Sequence, residues 1–224
     1  MHCLLCNSDS PDLCWEKTDP HHGKKAYWKC PHCSLVFLDV VCRLKEKDEK
    51  ARYDLHENDP ADSGYRNFIN KLLDPLREKL KPGFRGLDFG CGPGPALGKM
   101  LEGAGMTVEV YDPFYFPDKK PLETSYDFIT CTEVVEHFYS PRNEFLLLNR
   151  LLKPDGSHLA VMTEMLDDET DFGKWWYQSE PTHVCFYERK TFLWIAEWLG
   201  WQTEFPHKNV VLYFKGEETI CDSL

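Results

Sequence analysis

Two pairs of cysteines open the chain. Cys3-Leu4-Leu5-Cys6 and Cys30-Pro31-His32-Cys33 are Cys-x-x-Cys turns separated by 23 residues, and each such turn can present two thiolates to one tetrahedral ion. Four thiolates leave no open coordination position, so a structural zinc is expected and not a catalytic one. A thioredoxin-like redox pair is the competing chemistry, but it calls for a single motif beside a strand–helix–strand unit. Cys14 and His32 lie near enough to substitute as ligands, whereas Cys42, Cys91, Cys131, Cys185 and Cys221 are scattered and read as core or site-lining thiols.

A second constellation is built on glycine. In Gly90-Cys-Gly-Pro-Gly94 the missing side chains let the backbone approach a ligand closely and take positive φ angles. Free amides at the helix start that follows attract a carboxylate or phosphate. Asp112 ends the next apolar run, where it is placed to accept two hydrogen bonds from ribose hydroxyls. Dinucleotide dehydrogenases share this arrangement, but their fingerprint is Gly-x-Gly-x-x-Gly. Here the glycines alternate as Gly-x-Gly-x-Gly, and Asp88 precedes them by two positions. The plain alternative is an ordinary loop.

Third come Glu133, Glu136 and His137, at i, i+3 and i+4. On a helix after the strand 126–130 all three face one way. Crowded carboxylates repel one another, so a divalent cation or a histidinium would relieve them, and an imidazole titrates where a general base is useful. His183, in Glu180-Pro-Thr-His-Val-Cys-Phe-Tyr187, is a candidate fourth member. The alternatives are that the trio shapes a pocket and that His183 packs or caps a helix. Trp175, Trp176 and Tyr177 stand just upstream, and three consecutive aromatics cannot all face one core.

These groups need a frame. Ala26–Lys29 leading into the second cysteine turn, and Ser34–Leu38 leaving it, form the hairpin of a zinc ribbon, whose metal would supply most of its folding free energy. Residues 42–62 are rich in charge and end in Asn58-Asp59-Pro60, a connector or short exposed helix. Tyr65, Phe68, Ile69, Leu72, Leu73, Leu76 and Leu80 make one apolar helical stripe that Pro75 should kink. Arg85–Phe89 is a strand, the glycine turn follows, and Pro95–Leu101 begins a helix. Arg189 to Leu199 reads as a helix ended by Gly200, with 201–205 and 209–214 as a closing hairpin.

Gly86-Leu-Asp-Phe-Gly-Cys-Gly-Pro-Gly94, Tyr111-Asp112, Tyr126-Asp-Phe-Ile-Thr-Cys-Thr-Glu-Val-Val-Glu-His137 and Leu152-Lys-Pro-Asp-Gly156 together resemble the class I methyltransferases, in order and spacing, across residues 65–215. The resemblance implies an α/β Rossmann-like fold whose mostly parallel sheet ends in a reversed strand, with S-adenosylmethionine across the carboxyl ends of the first strands. It also implies that Asp88 and Gly90, Gly92 and Gly94 frame the methionine portion, that Asp112 holds the ribose, and that Cys131 and Thr132 border the sulfonium. Phe89, Cys91 and Tyr111 complete the cofactor-binding set. The segment from Glu133 to His137 is similar to polyprenyl-catechol O-methyltransferases and to small-RNA 3′-terminal 2′-O-methyltransferases, whose Glu-x-x-Glu-His binds a divalent cation. That makes Glu133, Glu136, His137 and His183 the catalytic candidates and a second candidate metal site beside the zinc ligands Cys3, Cys6, Cys30 and Cys33. One departure is visible: only 13 residues separate Asp112 from Tyr126, where the family often has a helix and a further strand.

The expected organisation is a zinc ribbon at 1–41, a connector at 42–64 and a methyltransferase domain at 65–224. A formal charge of −11 opposes tracking along a nucleic-acid backbone, so the expected acceptor is a small molecule. An RNA methyltransferase is the runner-up, a non-catalytic module that binds protein through the ribbon the third reading. The only basic patch runs from His21 to His32, with Lys24, Lys25, Lys29 and Tyr27-Trp28. No apolar run is long enough to span a membrane and no export signal is visible. A soluble, cytoplasmic protein whose ten cysteines stay reduced follows as an expectation.

Overall fold

The computed structural model describes residues 1–19, 23–55 and 63–216. His21, His22, the Asn58-Asp59-Pro60 turn and Cys221 therefore lie outside the described residues. Strands β1 (Asp12–Asp19), β2 (Gly23–Lys29) and β3 (Val36–Leu38) form the N-terminal sheet. Two helices, α1 (Glu46–Tyr53) and α2 (Ser63–Arg77), precede the larger sheet. There β4 (Arg85–Phe89), α3 (Ala96–Glu102), β5 (Thr107–Tyr111), β6 (Phe128–Thr132), α4 (Pro141–Leu151) and β7 (Ser157–Met162) alternate. The chain closes with β8 (Cys185–Phe186), α5 (Arg189–Leu199), β9 (Gln202–His207) and β10 (Val210–Lys215).

The six-stranded sheet has the order β5-β4-β6-β7-β10-β9. Its first four strands are parallel, and β10 runs antiparallel to β7, which is the mostly parallel sheet with a reversed last strand. Both faces are covered, so β6 and β7 are almost continuously buried. Side chains alternate between two cores, as a pleated strand requires. Ala160 and Met162 pack with Leu72 and Leu76 of α2 and Leu97 of α3. Leu159 and Val161 pack with Phe145 and Leu148 of α4 and Ile195 of α5. The apolar stripe predicted for α2 buries Ile69, Leu72, Leu73 and Leu76, and Pro75 sits inside the helix.

Two further features bear on function. β5 is the edge strand, because residues 113–125 contain only a loop and a short 3-10 turn at Lys120–Glu123. The shortening foreseen between Asp112 and Tyr126 is thus real. The N-terminal sheet also has a fourth strand. β8, which begins two residues after His183, pairs antiparallel with β3, Val36 opposite Phe186 and Phe37 opposite Cys185. Leu5, Leu35, Val36, Phe37 and Leu38 join the same core as Phe145 and Phe192. Among the described residues no helix is long and apolar enough to cross a membrane.

Candidate active site and thiolate centre

The two cysteine turns are built alike. In each, the residue after the second cysteine takes the left-handed conformation, Asn7 at φ 61° and Ser34 at φ 60°. Asn7 N donates to Cys3 O at 3.1 Å and Ser34 N to Cys30 O at 2.9 Å, while Cys3 N reaches Ser8 O and Cys30 N reaches Leu35 O, both at 2.9 Å. The turns face each other across Cys3–Cys33 and Cys6–Cys30 sulfur pairs of 3.5 Å. All four sulfurs lie within 4.8 Å of one another, which fits the roughly 3.8 Å edge of a zinc–thiolate tetrahedron. A hydrogen bond from Cys33 draws the Cys3 thiol down to about 5, while burial pushes Cys6 up to about 12. A bound cation would hold all four as thiolates. Cys14 is exposed and donates to Tyr27 O, and His32 packs on Trp194; neither belongs to the cluster.

At the carboxyl ends of β4 and β5 the glycine turn is stitched to its neighbour. Gly90 N donates to Tyr111 O at 2.7 Å, and Gly92 N to Asp112 Oδ2 at 3.0 Å. Gly90 has φ +76°, and a Cβ there would sit 2.5 Å from Val134 Cγ2, so glycine is required. Asp112 Oδ1 accepts from the amides of Phe114 and Tyr115 at 2.8 and 3.1 Å. A carboxylate offers about four acceptor positions, and the backbone takes three. Oδ2 keeps one position for a ligand hydroxyl, where the sequence suggested two. Asp88 is buried and accepts from Thr130 Oγ1 at 2.9 Å; burial pushes its carboxyl up to about 6.

A cleft of about 930 Å³ extends from this turn. Asp88, Phe89, Gly90, Cys91, Gly92, Gly94, Tyr111, Asp112, Thr132, Glu133, His137 and His183 all line it. Cys131 does not: its side chain points into the core and is fully buried. Glu136 is also fully buried, behind the wall.

The predicted helical face for Glu133, Glu136 and His137 is not formed. Only Val135–His137 make a single 3-10 turn, and Glu133 adopts φ 53°, a strained value for a residue with a side chain. The cluster nevertheless assembles through tertiary contacts. Glu136 Oε1 accepts from Tyr177 Oη at 2.6 Å, and Glu136 Oε2 from Thr163 Oγ1 at 3.0 Å. Tyr177 Oη lies 3.3 Å from Glu133 Oε2. Burial and the nearby Glu136 hold the Glu133 carboxyl well above the usual carboxylate range. Glu136, His137 and His183 bring one ligand atom each within 4.8 Å of one another, whereas Glu133 joins only through Tyr177. His137 Nδ1 faces Thr182 O at 3.0 Å, and His183 Nδ1 faces Tyr177 O at 2.8 Å. A carbonyl only accepts, so each Nδ1 carries hydrogen and the lone pair of the neutral ring is on Nε2.

Of the aromatic triplet, Trp175 packs against Phe172 and Phe186, Tyr177 is buried, and Trp176 alone is exposed, at 67%, on the cleft wall. α1 contributes a wall that the sequence did not announce. Tyr53 packs edge-on against His137, and Arg52 forms a two-pronged ion pair with Glu180. The charged run of residues 42–62 read as a connector, yet Glu49, Arg52 and Tyr53 all line the cleft. Their i, i+3, i+4 spacing was the only signal available.

Residues 61–204 match the protein family described as a methyltransferase domain. Similar solved structures include a SAM-dependent methyltransferase from Aquifex aeolicus, 19% identical, covering 75% of this chain and 97% of that one with a TM-score of 0.46. The PH0226 protein of Pyrococcus horikoshii is 16% identical over 76% of this chain and 99% of its own, with a TM-score of 0.48. CalO1, a methyltransferase in calicheamicin biosynthesis solved with SAH, is 9% identical, with a TM-score of 0.46. It covers 65% of this chain, which spans 52% of CalO1. No curated protein matches the sequence. The family match takes in well over half of the chain, from α2 through the glycine turn and the Glu133–His137 segment to β9, and the chain belongs to the methyltransferase-domain family.

Proposed function

We propose that the chain transfers a methyl group from S-adenosylmethionine to an oxygen, nitrogen or carbon atom of a small-molecule acceptor. The carrying observation is the single cleft that joins the glycine turn and Asp112 to Glu133, His137 and His183. At about 930 Å³ it stands near the top of the range for ligand pockets, which suits two ligands side by side. S-adenosylmethionine, when bound, supplies a methyl group on a cationic sulfonium. The residues fit it: Oδ2 of Asp112 retains one position for a ribose hydroxyl, and the glycine turn leaves the backbone open to the methionine portion. Thr132 Oγ1 and Glu133 Oε1 are buried atoms of the cleft wall with no protein partner, as expected where a polar ligand completes the site.

At the acceptor end, the Nε2 lone pairs of His137 and His183 serve the group that must lose a proton. With Glu136 they also form a set of two imidazoles and one carboxylate, which suits zinc, iron, cobalt or manganese. A divalent cation there would lower the pKa of an acceptor hydroxyl. Trp176 offers a stacking face for a planar acceptor. The formal charge of −11 opposes binding along a phosphate backbone, which favours a small molecule over RNA. A structural zinc on Cys3, Cys6, Cys30 and Cys33 belongs to the same reading. So does the division into 1–41, 42–64 and 65–224, with β8 lent by the third part to the first.

Titration calorimetry with S-adenosylhomocysteine tests the donor assignment. Binding of a nicotinamide dinucleotide, with none of S-adenosylhomocysteine, would overturn it. Crystals soaked in manganese test the cluster, with anomalous scattering expected beside Glu136, His137 and His183.

A further inference from the structure

The segment that carries the candidate catalytic groups is held from outside the methyltransferase sheet. Tyr187 Oη donates to Val135 O at 2.9 Å, Val184 N to Glu136 O at 2.8 Å, and Cys185 Sγ to Phe138 O at 3.2 Å. All three donors lie on or beside β8, the fourth strand of the N-terminal sheet. The next carbonyl, Tyr139 O, accepts from Arg43 Nη1 at 2.9 Å, and the guanidinium lies 4.7 Å over the Tyr139 ring. At the start of α4, Arg142 N and Nη1 donate to Leu4 O and Leu5 O at 3.3 and 3.0 Å. Leu4 and Leu5 are the two residues enclosed by Cys3 and Cys6.

The other side of the cluster is tied in the same way. Leu38 N of β3 donates to Val184 O at 2.9 Å, and Val184 is the residue after His183. Four of the five main-chain carbonyls from Val135 to Tyr139 are therefore fixed by Arg43 or by the strand that completes the cysteine-bearing sheet. The glycine turn, in contrast, is bonded to Tyr111 and Asp112 of the parallel sheet.

We propose that the four-cysteine module is a positioning element of the active site. Through Arg142, Arg43 and the β3–β8 pairing, metal at the thiolates sets the placement of Glu133, Glu136, His137 and His183, while the donor turn stays independent of it. The reading rests on the function proposed above for the cluster. Strain at Glu133 is consistent with it, since a left-handed glutamate persists only where its surroundings over-determine it. Arg43 and Arg142 act through the segment they hold, so both are positioning residues. Packing of Leu5, Leu35 and Phe37 into the main core gives the module an internal task distinct from docking RNA or protein.

The test uses the full chain with labelled histidines. Imidazole signals of His137 and His183, assigned through His137→Gln and His183→Gln, are recorded for metal-stripped protein and after one equivalent of zinc. We expect both signals to spread or broaden on stripping and to return with zinc. The dissociation constant for S-adenosylhomocysteine should change by less than about twofold, because the glycine turn and Asp112 that would hold it are bonded within the parallel sheet. Should stripping unfold the chain, Arg142→Met and Arg43→Met decide with all four thiolates kept. Each should shift both imidazole signals and lower kcat about tenfold or more, the scale of a misplaced catalytic group, with KM for the donor unchanged. Imidazole signals that are identical in the stripped chain and in both variants would overturn the proposal. Failure of the intact chain to bind S-adenosylhomocysteine would instead overturn the donor assignment, leaving the histidine signals to decide the positioning role.

Discussion

Tyr177 donates its phenolic hydrogen to Glu136 at 2.6 Å, and the same oxygen lies 3.3 Å from Glu133. One hydroxyl thus mediates between the fully buried carboxylate of Glu136 and that of the cleft-lining Glu133. Burial and the neighbouring Glu136 push the Glu133 carboxyl up, and the Tyr177 hydroxyl draws it back down.

Tyr177→Phe removes that mediator. With Glu136 0% exposed, loss of one of its two hydroxyl donors should destabilise the fold by about 1–3 kcal/mol. Thermal unfolding checks the first effect, and methyl transfer should fall with it. Unchanged stability together with unchanged activity would show that Tyr177 only fills space.

Asp112→Ala should weaken S-adenosylhomocysteine by roughly 1–3 kcal/mol through loss of a charge-assisted bond to ribose. Because Asp112 also holds the amides of Gly92, Phe114 and Tyr115, the variant should loosen residues 113–116. Calorimetry reads the first effect and amide exchange the second. An affinity equal to the parent would remove Asp112 from the donor site.

The Asp88 carboxyl, raised by burial to about 6, binds its proton more tightly folded than unfolded. The sign follows: its contribution favours the fold fully below about pH 4 and is lost as pH rises through about 6. Asp88→Asn should flatten that decline. Unfolding free energies of the two proteins from urea titrations, measured from pH 4 to pH 7, should diverge in favour of the variant by at most about 3 kcal/mol. Curves that stay parallel across the window would show that Asp88 is not perturbed.

Protein purified without added metal should contain about one zinc per chain, as a closed four-thiolate site requires. Cys30→Ser should lose it and lose order in β1 to β3. A variant with full zinc content and an intact sheet would dismiss the assignment.

The parallel sheet was legible because its signals are local. Arg85–Phe89 with the alternating glycines, and the apolar run before Asp112, carry strand and turn in their own spacing. The cysteine turns were equally plain. What escaped was set by tertiary contact. The Glu133–His137 segment has helical spacing, but the seven residues wedged between β6 and Ser140 are held by bonds to β8 and Arg43, and these impose the left-handed Glu133. α1 looks like a solvated connector because its sequence is almost wholly charged; only the Arg52–Glu180 pair and the packing of Tyr53 on His137 turn it into a wall. Cys131 was expected beside the ligand, yet the strand's two-residue alternation sends it into the core while Thr132 faces the cleft.

The pairing of Val36 with Phe186 spans 150 positions of the chain, and it orders events during synthesis. The cysteine turns leave the ribosome well before β4 to β8, and a zinc on them would need no ligand beyond Cys33. Their sheet must wait for β8, made only after β4 to β7. A sheet begun before the parallel one is thus finished after it, and its long-range closure is the slow kind of contact to form. Until then the edge of β3 away from β2 has no partner strand, and a metal-bound hairpin is the form in which it would survive the interval.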